Sequence, residues 1–215
     1  YNSLFRFGFG FIEIGTVTPK EQFGNPKPRD FRLEDDRALI NRLGFNNDGL
    51  EKVSRRLQKN HPNGFLGINI GPNKDTSNKE EDYYDCLSKL SSYAGYITIN
   101  ISSPNTEDLR SFHDQKKLDE LLSLINKEKK VLNSLIPIVI KVSPDISDSD
   151  VNKISEVLLS NNVQGVIVSN TSDSTRDNLR DIQKHQKGGL SGKPIETKST
   201  DMISKFHRVL KNKIK

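Results

Sequence analysis

The stretch ITINISSPNTEDLR, residues 97–110, contains the pattern that decides the fold. Its three isoleucines occupy alternate positions, as they do on one face of a β-strand, and Thr98, Asn100 and Ser102 occupy the opposite face. The strand then runs out into a polar segment that begins at Ser103. An apolar strand with amides and hydroxyls along its second face and at its exit predicts a buried strand that leads into a binding site.

The composition is typical of a well-solvated protein, with 28% charged and 33% hydrophobic residues in a chain of 215. This length allows one large domain or two small ones with a sizeable core. No apolar run approaches the ~20 residues needed to cross a bilayer, and no signal peptide is visible. The chain starts at Tyr1 rather than methionine, so we expect the natural N-terminus to lie upstream. The single cysteine, Cys86, excludes an intrachain disulfide and fits a reducing compartment.

The net charge of +5 is compatible with nucleic acid, anionic lipid or a phosphate ligand as a partner. The lysines are scattered, however, with their densest group at residues 127–130 and no aromatic residues among them. This pattern favours a solvated surface over a nucleic-acid footprint.

Short β-branched runs alternate with longer amphipathic segments. The predicted strands cover residues 11–17, 65–71, 96–102, 136–143 and 165–171, each bounded by Gly, Pro, Asn or Ser. The predicted helices cover residues 36–59 (two helices broken at GFNNDG), 79–94, 114–135, 147–161 and 197–211. Strand followed by helix, repeated along the chain without a low-complexity linker, predicts a parallel sheet with helical crossovers.

Two α/β architectures fit this order, an open doubly wound sheet and a (β/α)8 TIM-type barrel. A sheet covered by helices on both faces should be apolar on both. These strands instead have one apolar face, and the opposite face carries Asn69, Asn100, Lys141 and Ser169. A barrel lumen that opens onto a ligand requires this asymmetry, so we expect residues 1–215 to form a single, incomplete barrel domain of about five strands. Thr16 falls on the apolar side of its strand, which predicts a bulge or a twist there.

In a barrel, chemistry collects where the strands end and the βα loops begin. The polar groups at these positions are Thr16, Asn69, Asn100, Ser103, Asn105, Lys141, Ser169, Asn170 and Thr171. They are amides, hydroxyls and one ammonium, which suit an uncharged or anionic heterocycle held by several hydrogen bonds. They include no carboxylate pair and no His/Cys cluster, so neither metal catalysis nor a hydrolytic triad is predicted.

Each of these groups also has a purely structural interpretation. A strand-end asparagine often only fixes a turn, and for any single asparagine this interpretation is the better one. Lys141 differs, because an ammonium in a lumen is costly without a partner, and we interpret it as functional. The segment KGGLSGKP, residues 187–194, fits either a phosphate-binding glycine loop or an ordinary turn.

Taken in order, these segments resemble the dihydroorotate dehydrogenase family, specifically its class 2, quinone-dependent branch. The motifs that carry the resemblance are EIGTVTP, GNPKPR, INRLGFNN, GINIGPNKDT, INISSPNT, VIKVSPD, VSNT and GGLSGKP. They extend over nearly the whole chain, and as an ordered set they are far more specific than any one alone. The resemblance implies an FMN-containing α/β barrel that oxidises dihydroorotate to orotate by hydride transfer to FMN, with quinone as the final acceptor, in pyrimidine biosynthesis.

The resemblance also implies roles for individual residues. Ser103 matches the catalytic base; class 1 usually has cysteine there, so serine indicates class 2. Substrate contacts are implied for Asn41, Arg42, Leu43, Gly44, Phe45, Asn100, Asn105, Asn170 and Thr171. FMN contacts are implied for Thr16, Asn69, Asn100, Lys141, Ser169, Ser191 and Gly192. Positive charge from Lys141 would then favour the reduced flavin.

The chain departs from the family pattern in the loop after SPNT, where Glu107 and Asp108 replace the usual Pro-Gly. Two carboxylates beside an anionic substrate would weaken its binding unless they point outward or pair with Arg110. Asp30 in place of an apolar residue, and Ser169 in place of threonine, are further departures.

The resemblance further implies that the chain is an internal fragment. The family's first strand, with a substrate-contacting lysine, and a membrane-associating region that admits quinone would precede it, and about two strands that hold the flavin phosphate would follow it. We therefore expect the chain alone to bind FMN weakly or not at all, and to aggregate through open sheet edges. The whole protein is expected to associate peripherally with a membrane, either the bacterial inner membrane on its cytoplasmic side or the mitochondrial inner membrane.

Three other interpretations remain open. Lys141 could form a Schiff base, as in an aldolase. The barrel could be another FMN-dependent oxidoreductase of a related pyrimidine, which the serine in NISSPN disfavours. The chain could also be a basic module that binds nucleic acid, for which steep salt dependence would be the signature.

Overall fold

The computed structural model describes residues 1–106, 108–174, 176–211 and 213–214. Five parallel strands form its central sheet: β1 Phe11–Val17, β4 Phe65–Ile70, β5 Tyr96–Asn100, β6 Ile138–Val142 and β7 Gly165–Val168. Their order across the sheet is β1-β4-β5-β6-β7, so parallel strands that are consecutive along the chain are also neighbours in the sheet. All five predicted strands are confirmed; β1 has the predicted bounds, and the other four are shorter than predicted.

Helices connect successive parallel strands and cover the outer face of the sheet. The connecting helices are α2 Gly49–Lys59, α3 Lys79–Leu90, α4 Gln115–Val131 and α5 Asp148–Ser160. A short α1, Asn2–Phe5, precedes the first parallel strand, and α6, Glu196–Leu210, follows the last one described. Asp114 begins α4 by accepting hydrogen bonds from the backbone N–H groups of Lys116 and Lys117. Ser147 and Asp150 begin α5 with the reciprocal capping box that a Ser-x-x-Asp spacing indicates. Within the described part of the chain, no helix has the length and apolar character needed to span a lipid bilayer.

The two faces of the parallel sheet differ, as the alternation predicts. Ile97, Ile99 and Ile101 are fully buried in the core between sheet and helices. The opposite face lines a lumen whose lower part is largely apolar, with Phe11 and Phe65 beside a cavity of about 1210 Å³. Asn69, Asn100 and Lys141 lie on this face towards the C-terminal ends of their strands, where a barrel places its site, and Glu13 lies deeper, in the lining of the cavity.

Parallel strands with crossover helices on one face and a lumen on the other form a partial (β/α) barrel, which confirms the predicted fold class. Among the described residues, β1 and β7 each pair with one other strand of this sheet, so the barrel stays open between them.

β1 contains the irregularity expected at Thr16. Its register against β4 shifts between Ile14 and Val17. At Gly15 the φ angle is +127°, and an added Cβ would overlap the main-chain oxygen of Asn69, so only glycine fits. The shift brings the Thr16 hydroxyl to the lumen face, where it reaches Asn69.

A second, antiparallel sheet lies beside the C-terminal ends of the parallel strands. Its strands are β2 Asp30–Leu33, β3 Ala38–Asn41 and β8 Gly189–Gly192, in the order β2-β3-β8. The prediction of a helix in the first part of 36–59 is therefore wrong, and KGGLSGKP forms β8 at its centre instead of a turn. The physical reason is that Ala38 and Ile40 are buried in alternation with half-buried neighbours, which is the period of a strand, and partners on both sides pair with the β3 backbone.

Candidate functional site

Three side chains from neighbouring strands form a hydrogen-bonded cluster at the top of the lumen. The Thr16 hydroxyl donates to Asn69 Oδ1 at 2.8 Å, and Asn100 Nδ2 donates to Thr16 Oγ1 at 3.2 Å and to Asn69 Oδ1 at 3.3 Å. Asn69 and Asn100 are only 4% and 3% exposed. Buried amides require partners, and because these side chains supply them to one another, the cluster has one fixed arrangement.

A carboxylate below this cluster sets its orientation. Glu13 accepts a hydrogen bond from Asn69 Nδ2 at 3.0 Å and another from the Thr98 hydroxyl at 2.7 Å. Because a carboxylate only accepts, the amide nitrogen of Asn69 must face Glu13 and its oxygen must face Thr16. Burial and the adjacent Glu13 charge raise the pKa of Tyr96, so that its phenol stays protonated beside the carboxylate.

We expect Glu13→Ala to lower the free energy of unfolding by about 1–3 kcal/mol, the usual effect of leaving buried donors without an acceptor. The donors affected are Asn69 Nδ2 and the Thr98 hydroxyl. Urea denaturation followed by circular dichroism measures the loss. Glu156→Ala, which removes an exposed carboxylate from α5, is the matched control and should change stability by less than about 0.5 kcal/mol. Equal stability of the two variants would show that the cluster does not depend on Glu13.

Ser103 lies just beyond β5, on a loop that is held against the small sheet. It is 5% exposed, and its Oγ accepts the backbone N–H of Asn105 at 3.2 Å. Asn105 Nδ2 in turn donates to the main-chain oxygen of Asn41 at 3.2 Å. In the described residues, no histidine or carboxylate hydrogen-bonds to Ser103, and its own hydroxyl proton stays available for a ligand or a water molecule.

Asn100 links the cluster to the loop after β7. Its Oδ1 accepts a hydrogen bond from the Ser102 hydroxyl at 2.9 Å, and that hydroxyl accepts one from Asn170 Nδ2 at 2.9 Å. The Oδ1 of Asn170 accepts the backbone N–H of Thr171 at 2.7 Å. Asn100, Asn170 and Thr171, for which the family resemblance implies substrate contacts, therefore belong to one network.

Arg110 ties the loop of Ser103 to the loops after β6 and β7. Its Nε donates to the main-chain oxygen of Ser102 at 3.2 Å, and Nη2 donates to that of Thr171 at 3.3 Å. Its Nη1 lies 2.6 Å from a carboxylate oxygen of Asp173 and 3.2 Å from one of Asp145. One side chain thus fixes three βα loops relative to each other.

Asp145 forms ion pairs with both Arg110 and Lys198. Its partial burial favours the protonated form, but hydrogen bonds from the Asp173 backbone N–H, the Lys198 ammonium and the Ser172 hydroxyl outweigh that effect and hold the pKa of the Asp145 carboxyl below its usual range. The carboxylate therefore stays charged near neutral pH and keeps its ion pair with Arg110.

His113 packs beside the tie as a neutral side chain. Burial, with a further contribution from the Arg110 charge, lowers the pKa of His113 to about 4. Its Nε2 accepts the backbone N–H of Ser143, just past β6, at 3.4 Å. His113 therefore supports the strand end that follows Lys141.

In the loop after SPNT, Asp108 does not pair with Arg110. Asp108 has a 63% exposed side chain and lies 3.7 Å from Lys79. Glu107 lies outside the described residues. For Asp108, the outward orientation is the alternative that holds.

Lys141 presents its ammonium to the lumen. It is half-buried on β6, in register with Asn100 of β5 and Ile167 of β7. Within the part of the chain that the structure describes, its Nζ makes no hydrogen bond and has no carboxylate oxygen within 4.0 Å. A half-buried cation without a partner suits an anionic or electron-rich ligand.

The predicted substrate loop, residues 41–45, makes a sharp turn where β3 ends. Gly44 and Phe45 have φ angles of +72° and +55°, in the left-handed region, and Gln22 Nε2 holds the turn by donating to the Gly44 oxygen at 2.8 Å. A Cβ added at Gly71 would lie 3.0 Å from the Phe45 ring, so this glycine makes room for it. The Leu43 side chain is 38% exposed at the outer side of the turn.

Three predicted contacts lie outside the hydrogen-bonded cluster. The Ser169 hydroxyl, just past β7, is 3.4 Å from that of Ser199 on α6. Ser191 and Gly192 lie on β8 of the small sheet, where Ser191 Oγ donates to the Leu39 oxygen at 3.3 Å. The Ser169 hydroxyl also donates to the main-chain oxygen of Asn170 at 3.2 Å, so Ser169 reaches the cluster through Asn170 and Ser102. The hydrogen bonds between described residues do not connect Ser191 or Gly192 with the cluster.

A family model described as dihydroorotate dehydrogenase matches residues 1–215. This chain belongs to the dihydroorotate dehydrogenase family. Among curated relatives, the dihydroorotate dehydrogenase (quinone) of Idiomarina loihiensis is 46% identical over 215 residues, which are 97% of this chain and 64% of that protein. The protein of the same name from Vibrio parahaemolyticus is 46% identical over 216 residues, covering 96% of this chain and 63% of its own length.

Solved structures give the same family. DHODH from Eimeria tenella in complex with ferulenol has a TM-score of 0.91 and 36% identity, over 96% of this chain and 62% of that one. The ligand-free form of that enzyme has a TM-score of 0.91 and 37% identity, over 96% and 64%. The chain thus spans less than two thirds of the length of these members of the dihydroorotate dehydrogenase family.

Three residues at the centre of this family member's site had no assigned role in the sequence interpretation. They are Glu13, which orients Asn69, Ser102, which joins Asn100 to Asn170, and Arg110, which ties the loops. Glu13 left a signal, because a carboxylate inside the apolar run FIEIGTV must point away from the core. The sequence signal for Ser102 was weaker: it is the third polar residue, after Thr98 and Asn100, on the lumen face of its strand. The partners of Arg110 are 35 and 63 residues away, and no local pattern reveals them.

Proposed function

We propose that the whole protein to which this chain contributes is a quinone-dependent dihydroorotate dehydrogenase. It oxidises dihydroorotate to orotate in de novo pyrimidine biosynthesis, with FMN as the resident cofactor and quinone as the final electron acceptor. The observation that carries the proposal is the meeting of three groups at one end of the lumen. They are the buried hydroxyl of Ser103, the amide network centred on Asn100, and the ammonium of Lys141.

The residues at the mouth of the lumen fit a flavin mononucleotide. The flavin ring system presents several hydrogen-bonding atoms along one edge and becomes more negative on reduction, so it suits polar side chains together with a cation. Lys141 is such a cation, because no described carboxylate neutralises it. The proposed FMN contacts are Thr16, Asn69, Asn100, Lys141, Ser169, Ser191 and Gly192. When bound there, FMN supplies the acceptor for the hydride of dihydroorotate.

The substrate is proposed to lie among the amides of the loops. The proposed contacts are Asn41, Arg42, Leu43, Gly44, Phe45, Asn100, Asn105, Asn170 and Thr171. The amide groups bind the ring and carboxylate of dihydroorotate, and because the network fixes their orientation, little ordering remains when substrate binds. Asn100 is assigned to both ligands, since its position in the network lies between Thr16 and Ser102.

Ser103 is the proposed base. Dihydroorotate must lose a proton from the carbon beside its carbonyl, and Ser103 Oγ takes this proton while its own hydroxyl proton passes to a water molecule or a neighbouring hydroxyl. Serine is a weak base in water, so the step requires a site from which bulk water is excluded. The 5% exposure of Ser103 and its bond from the Asn105 N–H support this requirement.

The chain is proposed to form one partial FMN-binding barrel domain over residues 1–215, without the barrel's first strand and its last two or so strands. The coverage of 63–66% of the curated relatives supports this assignment. On this proposal the chain alone binds FMN weakly or not at all, because the strands that hold the flavin phosphate are not in it. Quinone would enter through a region outside this chain, at the bacterial or mitochondrial inner membrane, with which the whole protein associates peripherally.

The proposed function is tested by anaerobic titration of the whole, FMN-loaded protein. Dihydroorotate should bleach the visible flavin absorbance, orotate should appear in equal amount, and quinone should restore the colour. In parallel, borohydride is added to a mixture of protein and substrate. A protein without bound flavin whose Lys141 is covalently trapped by borohydride would replace this function with Schiff-base chemistry.

A further inference from the structure

A second cavity, of about 830 Å³, lies beside the loop that carries Ser103. Its lining includes Pro104 and Asn105 of that loop, Arg42 and the segment 184–188. Asn105 is shared with the site, because its backbone N–H donates to Ser103 Oγ and its side chain donates to the Asn41 oxygen. Asn105 therefore belongs both to the lining of this cavity and to the site.

The walls of this cavity are strongly cationic. Five of the lining residues carry a positive charge: Lys27, Arg42, Arg176, Lys184 and Lys187. One lining residue, Asp173, is an acid, and it is already engaged by Arg110 at 2.6 Å. Among the residues that the structure describes, none of the five cations has a carboxylate oxygen within 4.0 Å.

Three of these cations are held in place by uncharged oxygens. Arg42 donates to the Gln186 side-chain oxygen at 3.1 Å and to the Lys187 main-chain oxygen at 3.2 Å. Arg176 donates to main-chain oxygens of the same segment, including that of Gln186. Lys184 Nζ donates to the Leu179 oxygen at 2.7 Å. Such bonds fix the cations without neutralising them, so their field extends into the cavity.

Lys27 and Lys187 lie at the rim. Both are exposed, and their side chains make no hydrogen bond with the described residues. The cavity thus has cations held by hydrogen bonds in its lining and exposed cations beside them, which is an arrangement that attracts and concentrates small anions.

We infer that this cavity is a vestibule that captures the anionic substrate before it passes Asn105 into the site. The inference rests on the proposed function, because dihydroorotate and orotate carry a carboxylate. A small organic anion fits better than a polyanion such as nucleic acid, because the cations line a bounded cavity and not an extended stripe. The vestibule acts on the rate of association, since long-range attraction speeds encounter more than it slows release.

The test is stopped-flow measurement of orotate binding to the whole, FMN-loaded protein, followed by the change in flavin absorbance. In Lys27→Glu/Lys187→Glu, the association rate constant at low ionic strength should fall about tenfold, within the range known for electrostatic steering. Its decrease with added salt should be much weaker than in the parent protein. Lys127→Glu/Lys130→Glu is the matched control, because it reverses two exposed lysines of α4 and changes the net charge equally. Its association rate should stay within about twofold of the parent.

Orotamide, in which an uncharged amide replaces the carboxylate of orotate, completes the test. Its association rate should be the same in both variants and insensitive to salt. The vestibule is refuted if the rim variant binds orotate as fast as the parent, or if the control variant loses as much as the rim variant, which would indicate a global charge effect. If dihydroorotate bleaches the flavin of the parent protein but the variants give either of these results, the vestibule is refuted and the proposed function stands. If the parent protein is not bleached by dihydroorotate and does not bind orotate, the proposed function itself is refuted.

Discussion

Replacement of Ser103 by alanine is expected to slow orotate formation by the whole protein about 10²–10⁴-fold at neutral pH, the usual contribution of a general base. The physical reason is that Ser103 provides a buried hydroxyl whose proton stays available, while the Asn105 N–H fixes the position of its oxygen. The measurement is the rate of flavin bleaching by dihydroorotate in a single turnover, which isolates the chemical step from quinone reduction. FMN content should match that of the parent protein, because Ser103 has no proposed contact with the cofactor.

The pH profile separates a base from a residue that only supports the loop. With the base removed, the remaining rate should rise with pH, because hydroxide or a deprotonated water then replaces Ser103. Ser111→Ala is the control, since it removes a hydroxyl from the same connection between β5 and α4 whose side chain makes no hydrogen bond to described residues. Ser103→Cys should recover part of the rate, because a thiolate can accept the proton. A full single-turnover rate in Ser103→Ala at pH 7 would remove Ser103 from the mechanism.

The sequence predicted the parallel strands well because their signal is local. The alternating isoleucines around Ile99 require one buried face, and the parity conflict at Thr16 required the bulge that β1 contains. The small sheet was missed because Leu39 and Ile40 fit a helical spacing as well as a strand. Pairing with β8, about 150 residues further along the chain, decides between the two, and no local window contains that information.

The candidate site divides in the same way. Asn69, Asn100 and Thr16 were predicted to converge because parallel strands end at one edge, and they do form one cluster. The orientation of the Asn69 amide could not be predicted, because Glu13 sets it from the neighbouring strand β1, more than 50 residues away in the sequence. The loop tie through Arg110 was equally inaccessible, since its acidic partners come from two other loops. The residues at a strand end can be recognised from the neighbouring sequence, whereas the hydrogen-bond partners of their side chains depend on the tertiary structure.

Replacement of Lys141 by methionine is expected to move stability and function in opposite directions. Without ligand, the half-buried ammonium has no partner among the described residues, so methionine should raise the free energy of unfolding of the flavin-free protein by about 1 kcal/mol. With ligand, the loss of the cation should lower the single-turnover rate with dihydroorotate about 10²–10³-fold, as when one preorganised electrostatic donor is removed.

Three measurements on the same preparation examine this opposition: urea denaturation of the flavin-free protein, FMN affinity by fluorescence quenching, and the midpoint potential of the bound flavin. Lys141→Met should weaken FMN binding and make the potential more negative, because reduction then adds negative charge without a cation beside it. Lys153→Met, at an exposed position of α5, should change none of the three. A Lys141→Met protein that is less stable and still binds FMN with the parent's affinity and potential would show that the ammonium serves the fold. A cation that serves ligand binding can be recognised because its removal stabilises the protein and weakens cofactor binding. Removal of a cation that serves packing would lower stability instead.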